Sequence, residues 1–219
     1  MATRRNLILG GSAALLAGAG ALWLGRPDGA GLSSLSPVGA AHAQGADVAE
    51  ITLGDPDAPV KVVEYASFTC PHCADFHTDT FKDFRAEYID TGKVHFTYRE
   101  VFFDRYGLWA SMIARCAGPD RYFGVADLIY RSQGEWARQS DPAAVAESLK
   151  RIGMQAGLSR EAVDACLQDG EKAQALVAWY ESNAARDNVR STPSFLIDGE
   201  MHSGNMSLAR IGELVDAAS

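Results

Sequence analysis

Hydrophobic and polar residues follow a strand-like period over residues 60–66 and a helical one after them. Val60–Ala66 is rich in β-branched and aromatic residues and follows the breakers of Asp55–Pro59, which predicts a strand. Aromatic residues then recur at near-helical spacing from Phe76 to Tyr88. Gly92 suits the position just after a helix, so the pattern predicts one helix ending there.

A second strand and a run of helices follow. Apolar and polar residues alternate over 94–99, which predicts a second central strand, and Ile51–Leu53 indicates a weaker one. From residue 105 to 187 the apolar residues recur at helical spacing and predict four to five consecutive helices. One of them begins at Ser140-Asp141-Pro142, with a capping acid and a proline at the first helical position.

The strand-like pattern returns near the C-terminus. Thr192–Ile197 predicts a strand, Asp198-Gly199 a hairpin turn, and Glu200–Ser203 the paired strand. Ser207 caps a final helix. The order strand, helix, strand, several helices, hairpin, helix predicts an α/β fold with a mixed sheet.

The N-terminus predicts an export signal over residues 1–43. Arg4-Arg5 precede the Gly- and Ala-rich apolar run Leu9–Leu24, and Ala41-His42-Ala43 offers a small-x-small cleavage site. Paired arginines before a weakly apolar run are typical of a twin-arginine signal. The alternative is an uncleaved membrane anchor, because the run is about long enough to span a bilayer. We expect cleavage near Ala43 and a periplasmic location.

Length and charge narrow the class of protein. A chain of 219 residues can hold one small domain with a sizeable insertion. Without residues 1–43 it carries 17 basic and 27 acidic residues, a net charge of −10. Such acidity argues against nucleic acid as a partner.

The candidate chemistry lies where the first strand meets the first helix, at Cys70-Pro71-His72-Cys73. The unpaired N–H groups and the dipole at a helix start favour an anion, so the Cys70 thiol should ionise easily, and His72 should add to this effect. Cys70 is therefore the candidate nucleophile. Cys73, one turn further in, is the candidate resolving thiol.

Other uses of the two cysteines fit less well. No second Cys/His pair follows at zinc-site spacing, and haem attachment needs a His directly after the second cysteine, where this chain has Ala74. His77 could supply a third metal ligand, but it is more simply interpreted as a helix-surface residue. A purely structural disulfide would be unusual in this loop. We expect no bound metal.

The motif resembles the active site of the DsbA family of thiol–disulfide oxidoreductases. Glu64, six residues before Cys70, and Thr192-Pro193 match further family positions. The resemblance implies a thioredoxin-like fold with a helical insertion after the second central strand. The thioredoxin-like domain would comprise residues 44–104 and 188–219, and the inserted helical domain residues 105–187.

The resemblance also implies roles for these residues. Glu64 would be a buried proton acceptor for Cys73, although a solvent-facing position on a half-exposed strand is the simpler alternative. Pro193 would be a cis-proline that packs against the cysteines and leaves room for an extended substrate peptide. Thr192 stands where well-known members have valine, and its hydroxyl could donate to a sulfur.

Cys116 and Cys166 remain outside the motif. In an exported protein, two leftover cysteines more often pair than not, so we expect a structural disulfide. The alternative is two separate buried thiols that behave as small apolar side chains.

Together these observations predict an exported oxidoreductase that passes its Cys70–Cys73 disulfide to reduced or unfolded exported proteins. A DsbB-like membrane partner would reoxidise it, and the disulfide itself would be the sole cofactor. We expect a monomer or weak dimer. The alternatives are a disulfide isomerase or reductase on the same fold, and a periplasmic metal-handling protein.

Overall fold

A five-stranded mixed sheet forms the centre of residues 48–219, the part of the chain that the computed structural model describes. The strands are β1 (Ile51–Leu53), β2 (Val60–Ala66), β3 (Val94–Glu100), β4 (Ser194–Ile197) and β5 (Glu200–Ser203). Their spatial order is β1-β3-β2-β4-β5. β2 and β3 are parallel, and the other neighbours are antiparallel.

Helices pack on the sheet. In chain order, six of them lie between strands β1–β3 and strands β4–β5. They are α1 (Pro71–Asp79), α2 (Phe81–Phe84), a π-helical segment (Arg85–Ile89), α3 (Arg105–Cys116), α4 (Pro119–Arg131), α5 (Gln133–Trp136), α6 (Pro142–Gln155), α7 (Arg160–Gln168), α8 (Gly170–Arg186) and α9 (Leu208–Ala218). Helices α3 to α8 lie between β3 and β4 in the chain. The predicted fold class, with its helical insertion after the second central strand, is confirmed.

The predicted export signal, residues 1–43, lies outside the described residues, and so does the alternative of a membrane anchor. Within residues 48–219, no helix combines the length and the apolar character that a membrane crossing requires.

The prediction of one helix from the cysteines to Gly92 was wrong. The helix is interrupted at Thr80, whose φ and ψ of −121° and −42° lie outside the α-helical region. The Thr80 hydroxyl donates to the carbonyl of Met206, 3.2 Å away, in the segment before α9. A threonine hydroxyl that bonds elsewhere competes with regular helical geometry, and the tertiary contact prevails here.

The two local signals near the C-terminus are confirmed. Asp198 and Gly199 have positive φ values of 45° and 90°, and Ile197 pairs with Glu200, so the two residues form a tight hairpin turn. The Ser207 side chain accepts a hydrogen bond from the backbone N–H of Arg210 and caps α9.

A buried ion pair ties the insertion to the end of β3. Glu100 accepts two hydrogen bonds from the Arg115 guanidinium of α3, at 2.6 and 2.7 Å, and a third from the Tyr122 hydroxyl of α4, at 2.9 Å. The Glu100 carboxylate is buried, and a buried charge without a partner would be costly. Helices α3 and α4 are thus fixed to β3. Its neighbour β2 is the strand that leads to the cysteines.

Candidate active site

Cys70 occupies the position just before the first turn of α1. Its φ and ψ of −85° and 120° are extended, and Pro71 takes the first helical position, where a missing N–H costs nothing. The residue is 8% exposed. Cys70 and Cys73 are both free thiols in this structure.

Hydrogen bonds to the sulfur lower the pKa of Cys70 to about 5. The largest contribution comes from the Cys73 thiol, and burial opposes it. The side chain of Thr192 and the backbone N–H groups of Cys73 and His72 lower the pKa further. A thiol with this pKa is almost fully ionised at neutral pH and is both a good nucleophile and a good leaving group.

The largest causes of the lowered pKa of Cys70 do not include the His72 imidazole, and the role predicted for that imidazole stays a prediction. Its side chain is 74% exposed, and Nδ1 lies 3.5 Å from Asp75 on the same helix. His72 acts on the sulfur through its backbone N–H, which any residue at this position would supply. The backbone N–H groups at the helix start thus add to the larger contributions of the Cys73 thiol and the Thr192 side chain.

Cys73 has the opposite environment. It is 0% exposed, and burial raises its pKa well above the ordinary thiol value. The neighbouring Cys70 sulfur and the charge of Glu64 act in the same direction. The two thiols thus differ sharply in reactivity, because the Cys70 thiol has a lowered pKa and the fully buried Cys73 thiol a raised one.

Glu64 lies within the core, near enough to Cys73 for its charge to raise the pKa of that thiol. It is 0% exposed and pairs in register with Tyr98 on β3 and Phe195 on β4. Both carboxylate oxygens lie near Nε2 of His77, at 3.1 and 3.0 Å. The prediction that His77 is a helix-surface residue was wrong, since its side chain is 4% exposed.

Two tyrosines complete this buried group. The ring of Tyr130 stacks on His77 with centroids 4.4 Å apart, and Tyr98 meets His77 edge-on at 5.6 Å. The two hydroxyls are hydrogen-bonded at 2.6 Å. Burial raises the pKa of both tyrosines well above the ordinary value, so they stay neutral. Tyr130 belongs to α4, so the insertion contributes directly to the floor of the site.

Thr192 and Pro193 directly precede β4, and the peptide bond between them is cis. The Cys70 thiol donates to the Thr192 carbonyl at 3.4 Å. The Thr192 hydroxyl is buried and has no well-formed hydrogen bond. It therefore retains a donor that can turn toward the Cys70 sulfur when that sulfur is ionised.

The insertion also holds the loop that carries the motif. The Gln133 amide, buried at the start of α5, donates to the carbonyls of Phe68 and Cys70, at 2.8 and 2.9 Å. Two carbonyls on either side of Thr69 are thus fixed by one side chain. Gln133 positions the backbone around the nucleophile.

Comparison with known proteins agrees with this geometry. The family model described as Thioredoxin matches residues 46–217. The crystal structure of alpha-DsbA1 from Wolbachia pipientis superposes with a TM-score of 0.72 at 28% identity, covering 77% of this chain and 90% of that chain. The chain belongs to the thioredoxin family, in its DsbA-like branch.

Two further relatives place this DsbA-like protein among disulfide-handling proteins by their names. A Rickettsia bellii protein named "Putative protein-disulfide oxidoreductase" is 33% identical over 173 residues. Those residues are 78% of this chain and 65% of that protein, so the chain spans less than two thirds of it. The structure titled as a protein-disulfide isomerase from Novosphingobium aromaticivorans has a TM-score of 0.68 at 27% identity, covering 77% of this chain and 96% of that chain.

Cys116 and Cys166 of this DsbA-like protein form a disulfide between α3 and α7, with Cα atoms 6.2 Å apart and a sequence separation of 50. The disulfide lies within the insertion. Among residues 48–219, no group of three or more His, Cys, Asp and Glu side chains is arranged to hold a metal ion.

Four residues of the site were not predicted from the sequence: His77, Tyr98, Tyr130 and Gln133. His77 had an available signal, because a residue four positions after a buried cysteine shares its helix face, and a buried Glu64 needs a partner. Tyr130 and Gln133 had none. They lie more than 55 residues after the motif, and their approach to it depends on how the insertion folds back onto the sheet.

Proposed function

We propose that this protein is an exported thiol–disulfide oxidoreductase that introduces disulfides into reduced or unfolded exported proteins. The observation that carries the proposal is the contrast between Cys70, with a pKa of about 5, and the fully buried Cys73, with a raised pKa. In a mixed disulfide between Cys70 and a substrate, Cys70 is the better leaving group. Exchange then releases the substrate in its oxidised form.

The reaction proceeds in two exchanges. A substrate thiolate attacks Cys70 Sγ, the Cys70–Cys73 bond breaks, and Cys73 leaves with the electron pair and takes up a proton from Glu64. A second substrate thiolate attacks the substrate sulfur of the mixed disulfide and releases Cys70 as a thiolate. The substrate has lost two electrons, and the enzyme holds them as one thiolate and one thiol.

Thr192 and Pro193 bind the substrate in this account. Pro193 is buried, offers no backbone N–H and follows Thr192, whose carbonyl lies 3.4 Å from the Cys70 sulfur, so an extended peptide can approach Cys70 beside it. The protein acts as a monomer or weak dimer in the periplasm, and a DsbB-like membrane protein reoxidises it. Its cofactor is the Cys70–Cys73 disulfide.

The test is oxidation of a reduced, unfolded protein that contains several cysteines. The oxidised enzyme should produce substrate disulfides in a stoichiometric burst, Cys70→Ser should abolish the burst, and Cys73→Ser should trap a mixed disulfide. Rearrangement of a scrambled substrate without net oxidation would favour the isomerase alternative, which the name of the Novosphingobium neighbour makes the second candidate.

A further inference from the structure

Glu64 has no access to water, so its chemistry depends on the side chains around it. Its sole side-chain partner among the described hydrogen bonds is His77, whose Nε2 lies 3.0 and 3.1 Å from the two carboxylate oxygens. An ionised carboxylate can only accept hydrogen bonds, so Nε2 must carry the hydrogen whenever Glu64 is charged. The imidazole thus both compensates the charge and fixes the orientation of the carboxylate.

The imidazole itself is held on several sides. Tyr130 stacks on one face with centroids 4.4 Å apart and nearly parallel planes, and Phe81 lies 4.7 Å away. Tyr98 and Phe76 meet it edge-on, each at 5.6 Å. A ring packed in this way cannot turn Nε2 away from Glu64 without disturbing the core.

We propose that His77 is a positioning residue for proton transfer at Cys73, because its Nε2–H holds the Glu64 carboxylate in place while that carboxylate exchanges a proton with the thiol. The inference rests on the proposed thiol exchange at Cys70 and Cys73. His77 therefore affects the step in which the Cys70–Cys73 bond forms or opens, and it does not affect the reactivity of Cys70.

Few other titratable side chains lie around Glu64 and His77 that could exchange a proton with Cys73. Cys73 faces this pair from α1, Tyr98 from β3 and Tyr130 from α4, and Glu100 acts on Tyr98 from further along β3. Burial raises the pKa of both tyrosines, so they remain neutral hydroxyls. The side chains that β4 and α2 present there, Phe195 and Phe81, do not titrate.

One reaction separates the two cysteines. When the reduced enzyme meets 5,5′-dithiobis(2-nitrobenzoate), the Cys70 thiolate attacks the reagent and releases one thionitrobenzoate. Cys73 then gives its proton to Glu64, and its thiolate attacks Cys70 Sγ, closes the disulfide and releases a second thionitrobenzoate. The first release depends on reagent concentration and the second does not, so each can be timed separately.

We expect His77→Leu to slow the second release by roughly tenfold, the effect of losing one hydrogen bond to a charged group, with the first release unchanged. Glu64→Gln should slow it at least as much, and the double variant no more than Glu64→Gln alone, because both act on one proton transfer. The deficit of His77→Leu should narrow at high pH, where hydroxide can take the Cys73 proton.

His77→Gln keeps an N–H donor and should recover part of the rate. His202→Leu is the matched control, because His202 is a partly buried histidine beside a carboxylate, Glu200, on β5. It should close at the wild-type rate. If His77→Leu does not fold, His77→Asn replaces it, since its side chain is too short to reach Glu64.

Closure at the wild-type rate in His77→Leu or His77→Asn, or a deficit that is the same at every pH, would overturn the inference. A wild-type enzyme that gives no fast first release would instead contradict the proposed function, so the two failures are distinguishable.

Discussion

At the scale of single residues, the site depends on four groups that reach the Cys70 sulfur. The Cys73 thiol and the backbone N–H groups of Cys73 and His72 come with the helix start, so any chain that begins a helix at this motif has them. Thr192 is different, because it lies just before β4, away from the helix, and its contribution depends on the identity of its side chain. It is therefore the position at which the pKa of Cys70 can be adjusted without altering the helix.

We predict that Thr192→Val raises the pKa of Cys70 by about one pH unit, the value of one hydrogen bond to an anion. The wild-type midpoint of Cys70 alkylation by iodoacetamide should lie at about pH 5. Thr78→Val is the control, since the Thr78 hydroxyl bonds to its own helix at Ala74 and not to the site. An unchanged midpoint in Thr192→Val would show that the hydroxyl does not act on the sulfur.

The candidate residues that the sequence identified share a local signal. Cys70 and Cys73 stand at a strand–helix junction, Glu64 is a charge within an apolar strand, and Thr192-Pro193 precedes another strand. Each can be recognised from its neighbours in the chain. His77 was misplaced because the helix around it has little apolar asymmetry, and what buries it is Tyr130, from an element 53 residues further along.

At the scale of elements, Gln133 links the insertion to the loop that carries Cys70. Gln133→Ala removes the donor from the buried carbonyls of Phe68 and Cys70, so we predict a loss of about 1–3 kcal/mol in the free energy of unfolding. Denaturant unfolding of the reduced protein measures it. Gln139→Ala, whose amide bonds stay within the insertion at Glu135 and Ser148, should cost less. Equal costs would argue against a special role for Gln133.

The disulfide between α3 and α7 closes a loop of 50 residues. Replacing Cys116 and Cys166 by alanine should destabilise the protein by roughly 4 kcal/mol in the chain-entropy model. The midpoint of Cys70 alkylation should not move, because the disulfide is absent from the groups that act on that sulfur. Equal melting temperatures with and without the two cysteines would contradict a stabilising disulfide.

Most elements could be predicted from hydrophobic period and from caps, because each buries one face and the helix starts at Asp141 and Ser207 carry their own capping side chains. Two features could not. The break at Thr80 depends on a hydrogen bond to Met206, 126 residues away. The residues next to Thr80 in the chain do not predict it. The four-residue α5 is too short to show a period, and Trp136 is buried there by the rest of the insertion.

At the scale of the whole molecule, the ionisation of Cys70 couples the redox state to stability. Its pKa in the folded reduced protein, about 5, lies below the ordinary thiol value of 9.0. The thiolate therefore stabilises the reduced protein fully above pH 9, and this contribution declines as the pH falls and is lost below pH 5. At pH 7 it is on the order of 2–3 kcal/mol. The oxidised protein has no such anion.

We predict that the reduced protein melts at a higher temperature than the oxidised protein at pH 7, and that the gap narrows toward pH 5. Paired thermal melts with the Cys116–Cys166 disulfide left intact provide the measurement. A gap that widens as the pH falls would contradict the assignment of the coupling to Cys70.

The reduction potential of the Cys70–Cys73 pair tests the proposed oxidising role most directly. It is obtained by equilibrating the protein with mixtures of oxidised and reduced glutathione and measuring the fraction of free Cys70. Because the Cys70 thiolate stabilises the reduced form, we predict a potential clearly more positive than the value of about −270 mV for thioredoxin. A potential at or below the thioredoxin value would make the protein a reductase and contradict the account.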